Sequence, residues 1–99
     1  MMLYIKNKMS LNEQFNLSIE LVKGLNKKPN DNELLKLYSL YKQGTIGNCN
    51  IDKPGIFSFK EMAKWKEWNE QKGKKKDIAK SEYCDYVMIL SDKYGVNDN

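Results

Sequence analysis

Apolar residues recur at three- and four-residue steps in four separate stretches of this chain, and residues that start or stop helices bracket each stretch. The first stretch shows the logic. Ser10-Leu11-Asn12-Glu13 matches a capping box, with the hydroxyl at the N-cap and the glutamate reaching back from the third helical position. Leu11, Phe15, Ile19 and Val22 then share one helical face, and Gly24 offers a stop. The spacing predicts a helix from about residue 11 to about residue 24.

The same reading extends along the chain. Lys27-Lys28-Pro29 is a connector, and Asn30 or Asp31 can cap a second helix. Leu34, Leu37, Tyr38 and Tyr41 form its stripe, widened by Leu35 and Leu40. Gly44 and Gly47 weaken the pattern, so this helix should fray near Thr45-Ile46. "GNCNIDKPG", residues 47–55, reads as a loop. A second capping box, Ser58 to Glu61, opens a third helix carrying Phe59, Ala63, Trp65 and Trp68 and ending by Gly73. Lys74-Lys75-Lys76 reads as a solvated junction. The fourth helix places Ala79, Tyr83, Tyr86 or Val87, Leu90 and Tyr94 at helical spacing until Gly95. No alternating strand pattern competes, so the expected fold is an all-α four-helix bundle.

With 99 residues, the chain makes one domain, 1–99. Every one of its 17 basic side chains is a lysine, and histidine is absent. No His/Cys zinc cluster, Ser-His-Asp triad or histidine general base can be assembled from it. The acidic residues offer no convincing catalytic pair, so no enzyme is expected. A net charge of +4 and a pI near 9.0 favour an anionic partner: nucleic acid, a membrane surface or a phosphorylated small molecule. Cys49 and Cys84 are isolated thiols rather than a disulfide framework, which points to a reducing compartment. The opening MMLYIKNKMS lacks a cleavage-like site, and no apolar run approaches a membrane span. The expectation is a soluble cytoplasmic protein.

The stretch "YSLYK" places Tyr38, Tyr41 and Lys42 on one helical face. Tyrosines at helical spacing usually pack in a core. Beside a lysine, whose stem can lie on apolar surface, they can equally form a rim that seats a flat aromatic group carrying phosphate. The residues alone leave these two readings level. Lys60 and Lys64, one turn apart, share a face, and their mutual repulsion falls when an anion sits between them. Trp65 and Trp68 read as mainly structural, Cys49 as a loop thiol and Cys84 as a small packed side chain.

Longer phrases add a resemblance. "KPNDNELLKLYSLYKQGTIGN" and "KPGIFSFKEMAKWKEWNEQKG", followed by Ala79 and Tyr83, resemble the acyl-CoA-binding protein family, also called diazepam-binding inhibitor, across about Phe15 to Gly95. The resemblance implies an up-down-down-up bundle with a shallow bowl that holds medium- and long-chain acyl-CoA without turning it over. By matching position it implies a nucleotide site on the stretch Tyr38-Ser39-Leu40-Tyr41-Lys42. There Tyr38, Tyr41 and Lys42 meet the adenine and ribose 3′-phosphate. Lys64 completes the phosphate site, Lys60 shares its face, Tyr83 closes it from the fourth helix, and Lys23 lies beside the ligand. Phe15 and Ser18 match positions on the acyl side, with Leu34, Leu35 and Met62 as further candidates there.

The chain departs from the family pattern at Gly44 and Asn48, where alanine and aspartate are more usual, at Lys53 for arginine, and at Met62 for lysine. Residues 1–8 form an N-terminal extension beyond the usual start. The implied protein is an intracellular acyl-CoA carrier and pool former. It would be monomeric, need no cofactor, bind no nucleic acid and make at most transient membrane contact. The rival from another class is a small basic helical module binding nucleic acid or an anionic protein. Its support is the pI and the lysine run. Against it, the lysines are spread over several helices rather than along one recognition helix.

Overall fold

A computed structural model describes residues 9–96, so the N-terminal extension, residues 1–8, lies outside the described residues. Four helices follow in order: α1 Leu11–Lys23, α2 Asp31–Thr45, α3 Phe59–Asn69 and α4 Lys76–Tyr94. No strand occurs among the described residues; Leu25 and Val96 make one isolated antiparallel bridge.

Contacts between helix ends give the topology. The start of α1 meets the start of α4 where Lys80 donates to Asn12 at 2.8 Å, and their ends meet at the Leu25–Val96 bridge. These two helices therefore run parallel. The start of α2 meets the end of α4, where Lys93 and Tyr94 reach Glu33. The end of α2 approaches the start of α4, where a Cβ on Gly44 would lie 3.0 Å from Lys80 Cγ. These two run antiparallel. Helix α3 lies parallel to α2, since Leu34 and Phe59 line one groove near their starts and Trp68 reaches Gly47 near their ends. The order is up-down-down-up. Helix α4 packs on α1 and α2, whereas α3 packs chiefly on α2.

The core draws on three of the helices: Phe15 from α1, Leu37 and Leu40 from α2, and Tyr83, Cys84, Val87 and Leu90 from α4. Gly44 lets α2 come close to α4 without a side chain between them. The only buried apolar side chain of α3 is Trp68, whose indole donates to the Gly47 carbonyl at 2.8 Å. Trp65 donates to the Ile51 carbonyl at 2.9 Å, so both indoles pin the connector between α2 and α3. Asn48 finishes that connector: its side-chain oxygen accepts from Gln43 at 3.0 Å and from the Gly73 amide at 2.8 Å.

The helix starts agree with the sequence in part. The Ser10–Glu13 capping box forms in both directions. At α2 the choice between Asn30 and Asp31 resolves to Asn30, which makes a second complete box with Glu33. The box expected at Ser58–Glu61 does not form. Ser58 has ψ 70 rather than the extended geometry that aims an N-cap oxygen at the third amide. Glu61 instead faces Lys64 at 3.9 Å. The lysine run is also less free than expected, since Lys76 belongs to α4 and Lys74 pairs with Glu82 at 2.6 Å.

Glu33 ties the start of α2 to the end of α4. Its carboxylate accepts from Lys93 at 2.7 Å, from Tyr94 at 2.6 Å and from the Asn30 amide at 2.9 Å. The Lys93 and Tyr94 hydrogen bonds are the main reason its pKa is held down to about 2, against an ordinary 4.5. Because the folded pKa lies below the unfolded one, this contribution is complete above about pH 4.5 and is lost as pH falls towards about 2. Glu33→Gln should therefore lower the urea midpoint at pH 6 and flatten its decline between pH 4.5 and 2. The same acid-induced decline in both proteins would assign the sensitivity to other carboxylates.

Candidate functional site

Helix α2 buries Leu37 and Leu40 and turns Tyr38, Tyr41 and Lys42 towards its outer side. Two clusters follow. In the first, the Phe15 ring stacks on Tyr41 with centroids 5.9 Å apart and meets Tyr83 edge-on at 5.0 Å, joining α1, α2 and α4. In the second, Lys42 Nζ lies 5.9 Å from the Tyr38 ring centre and 5.3 Å from that of Trp68. Lys64 Nζ lies 4.9 Å from the same Tyr38 ring. Two ammonium groups thus converge on one aromatic face system, where cation–π attraction holds each in place.

Two grooves open on either side of Tyr38. The smaller, about 320 Å³, is lined by Lys23, Leu34, Tyr38, Tyr41 and Tyr83 among others. The larger, about 670 Å³, runs between α2 and α3 and is lined by Leu34, Leu35, Phe59, Lys60, Ala63 and Lys64, together with Tyr38. Leu34 and Tyr38 belong to both. A largely apolar, tyrosine-walled recess therefore adjoins a larger trough in which Leu34, Leu35, Phe59 and Ala63 stand among Lys28, Asp31, Lys60 and Lys64.

The electrostatics suit an anion. Lys64 is only loosely offset by Glu61 at 3.9 Å. Lys23 pairs with Glu20 at 3.0 Å on the surface, an interaction worth about 0–1 kcal/mol and easily exchanged for a phosphate. Burial, with smaller contributions from Tyr41 and Cys84, pushes the Tyr83 phenol up to about 12. Burial, then Glu61 and Cys49, raises Tyr38 as well. Both phenols stay protonated near neutral pH, so each can donate to an oxyanion. Among the described residues, no group of three or more His, Cys, Asp or Glu side chains could hold a metal ion. No helix among them is long and apolar enough to cross a membrane.

The structure gathers most of the residues singled out from sequence. Lys23, Tyr38, Tyr41 and Tyr83 meet in the smaller groove, and Lys60 and Lys64 meet Tyr38 in the larger. Lys42 joins them through its ring contacts. Phe15 is buried beneath Tyr41 and Tyr83, and Ser18 is buried on the same face of α1. Ser39 and Leu40 lie elsewhere: both are fully buried, and Ser39 bonds to the Lys36 carbonyl and to Gln71. Met62 is half-buried and lines neither groove. Sequence reasoning passes over Lys28 and Asp31, which line the larger groove. Lys28 lies on the connector Lys27-Lys28-Pro29, which carries no periodic signal, and Asp31 opens α2.

Comparison with known proteins bears on the family and the fold. The family model described as "Acyl CoA binding protein" matches residues 12–87. An acyl-CoA-binding protein homolog of Drosophila melanogaster is 46% identical over 84 residues, spanning 85% of this chain and 98% of that protein. Acyl-CoA-binding protein homolog 1 of Caenorhabditis elegans is 51% identical over 74 residues, spanning 75% and 86%. Among solved structures, Oryza sativa Acyl-CoA-Binding Protein 2 superposes with a TM-score of 0.80 at 36% identity, covering 85% of this chain and 93% of that one. With its fold and sequence in agreement, the chain belongs to the acyl-CoA-binding protein family.

Proposed function

We propose that this protein is a non-enzymatic carrier that binds medium- and long-chain acyl-CoA esters and keeps a pool of them in the cytoplasm. The observation that carries the reading is the shared wall of Leu34 and Tyr38, where a ring flanked by the Lys42 and Lys64 ammonium groups adjoins apolar groove surface on both sides. An acyl-CoA has the same two halves. Its coenzyme carries on the order of four negative charges, about two of them on the 3′-monoester. Lys42 and Lys64 take that phosphate as point charges, with Lys60 and Lys23 nearby. Tyr38 and Tyr41 offer ring faces for the adenine, and Tyr83 supplies a protonated hydroxyl. Leu34, Leu35, Phe59 and Ala63 shield the acyl chain from water. The protein binds and releases as a monomer and needs no cofactor.

Calorimetry tests the ligand class. A long-chain acyl-CoA should bind strongly, free CoA weakly and the free fatty acid weakest. Equal affinity for acyl-CoA and the free acid would sink the carrier reading. Tight binding of an oligonucleotide at physiological salt would favour a basic nucleic-acid module instead.

The phosphate anchor has its own test. Lys42→Ala should weaken acyl-CoA binding by about 1.5–3 kcal/mol, the range for a hydrogen bond to a charged group. A ligand lacking the 3′-phosphate should bind wild type and Lys42→Ala almost alike. An equal loss on both ligands would give Lys42 a different role.

A further inference from the structure

The turn that leads into α3 is unusual in composition. Ser58 N donates to the Gly55 carbonyl at 3.0 Å, closing a four-residue turn whose central residues are Ile56 and Phe57. Those positions ordinarily carry asparagine, aspartate, glycine or proline, because they face water and must adopt tight backbone geometry. Here Ile56 is 73% exposed, Phe57 85% and, one residue past the turn, Phe59 77%. Three large apolar side chains within four residues stand in solvent beside the mouth of the larger groove, which Phe59 and Lys60 help to line.

From this we infer that the 55–59 tip is a wedge that inserts into the headgroup region of an anionic lipid bilayer. Its shape is a protruding turn, suited to a fluid apolar phase rather than to a preformed pocket. The exposed Lys53 and Lys60 flank it and can reach lipid phosphates while Ile56 and Phe57 dip below them. Of the neighbouring acids, Glu61 faces Lys64 at 3.9 Å and Asp52 is exposed beside Lys53, and the chain as a whole carries +4. A second copy of the chain is the weaker occupant. Ile56, Phe57 and Phe59 together offer roughly 500 Å², short of the roughly 800 Å² per partner that a stable interface uses. The position of the wedge gives it a purpose that rests on the carrier reading: it would set the groove mouth at the surface into which an acyl chain passes.

The test floats the intact protein, without added ligand, on vesicles of phosphatidylcholine with and without phosphatidylserine. Wild type should partition onto the phosphatidylserine vesicles. Ile56→Ser/Phe57→Ser should lose at least about tenfold in partitioning, given the apolar area withdrawn from lipid. Lys53→Gln should weaken the anionic case and leave the neutral one unchanged. Acyl-CoA titrations of wild type and the double variant, made without vesicles, judge the carrier reading separately, and the two proteins should agree within about twofold. No partitioning of wild type, or equal partitioning of the double variant, overturns the wedge whatever the ligand titration gives, and leaves the tip to a protein partner.

Discussion

Truncating Trp68 to alanine is expected to remove about 3–5 kcal/mol of stability, a large part of the roughly 5–15 kcal/mol that a small domain holds. The side chain is 1% exposed and is the one buried apolar residue that α3 contributes. Its loss opens a cavity between α2 and α3 and leaves the Gly47 carbonyl without its donor. It also removes the ring 5.3 Å from Lys42, so ligand affinity should fall with stability. Trp68→Phe keeps most of the packing and loses the indole hydrogen bond, a change of about 1 kcal/mol plus some repacking. Urea melts followed by circular dichroism separate the two variants. An alanine variant melting within about 1 kcal/mol of wild type would show that α3 is held by other contacts.

Acyl chain length offers a larger range of effects. Each methylene transferred from water to an apolar slot contributes about 0.8 kcal/mol, and tenfold in affinity needs about 1.4 kcal/mol. Two added carbons should thus strengthen binding by roughly tenfold while the chain still finds wall to lie on. The groove of about 670 Å³ is finite, so the gain should flatten once the chain end leaves Leu34, Leu35 and Phe59. Ala63→Leu, which fills part of that wall, should move the plateau to shorter chains and leave free CoA binding unchanged. Calorimetry across a series of even-numbered acyl-CoAs gives the curve. Affinity flat in chain length from the start would mean that the protein reads only the nucleotide.

How much of this could be read beforehand depended on whether the deciding contacts were local. Ser10 and Glu13 sit three apart and needed nothing else, so their box forms as expected. Ser58 and Glu61 have the same spacing, but the turn before them sets Ser58 outside N-cap geometry, and Lys64 draws Glu61 away. Glu33 shows the opposite case. Its capping role depends only on its three-residue distance from Asn30, although the sequence alone singles out just Asn30 or Asp31 there. Its partners Lys93 and Tyr94 lie about sixty residues away, and no local pattern announces them. In the site, the three-residue step from Tyr38 to Tyr41 set both rings on one side of α2. The neighbours Ser39 and Leu40, carried along by the phrase that contains them, turn inward by helical geometry. The contribution of Lys28 depends on where the α1–α2 connector passes, which periodicity does not encode.

The lopsided attachment of α3 bears on what happens when the protein loads. Helices α1, α2 and α4 share one core, so they melt together, whereas α3 is fastened to α2 by one buried indole and by the connector it pins. Peeling α3 away exposes far less apolar surface than global unfolding, so its amides should exchange with deuterium through a smaller, separate opening. Lys42 and Lys64 stand on opposite banks of that seam. A phosphate that touches both acts as a rivet, and its binding free energy adds to the closure of the seam by mass action. If the ligand phosphate bridges Lys42 and Lys64 in this way, the α3 amides should exchange faster in the empty protein than in the loaded one, and equal exchange in both would remove the rivet.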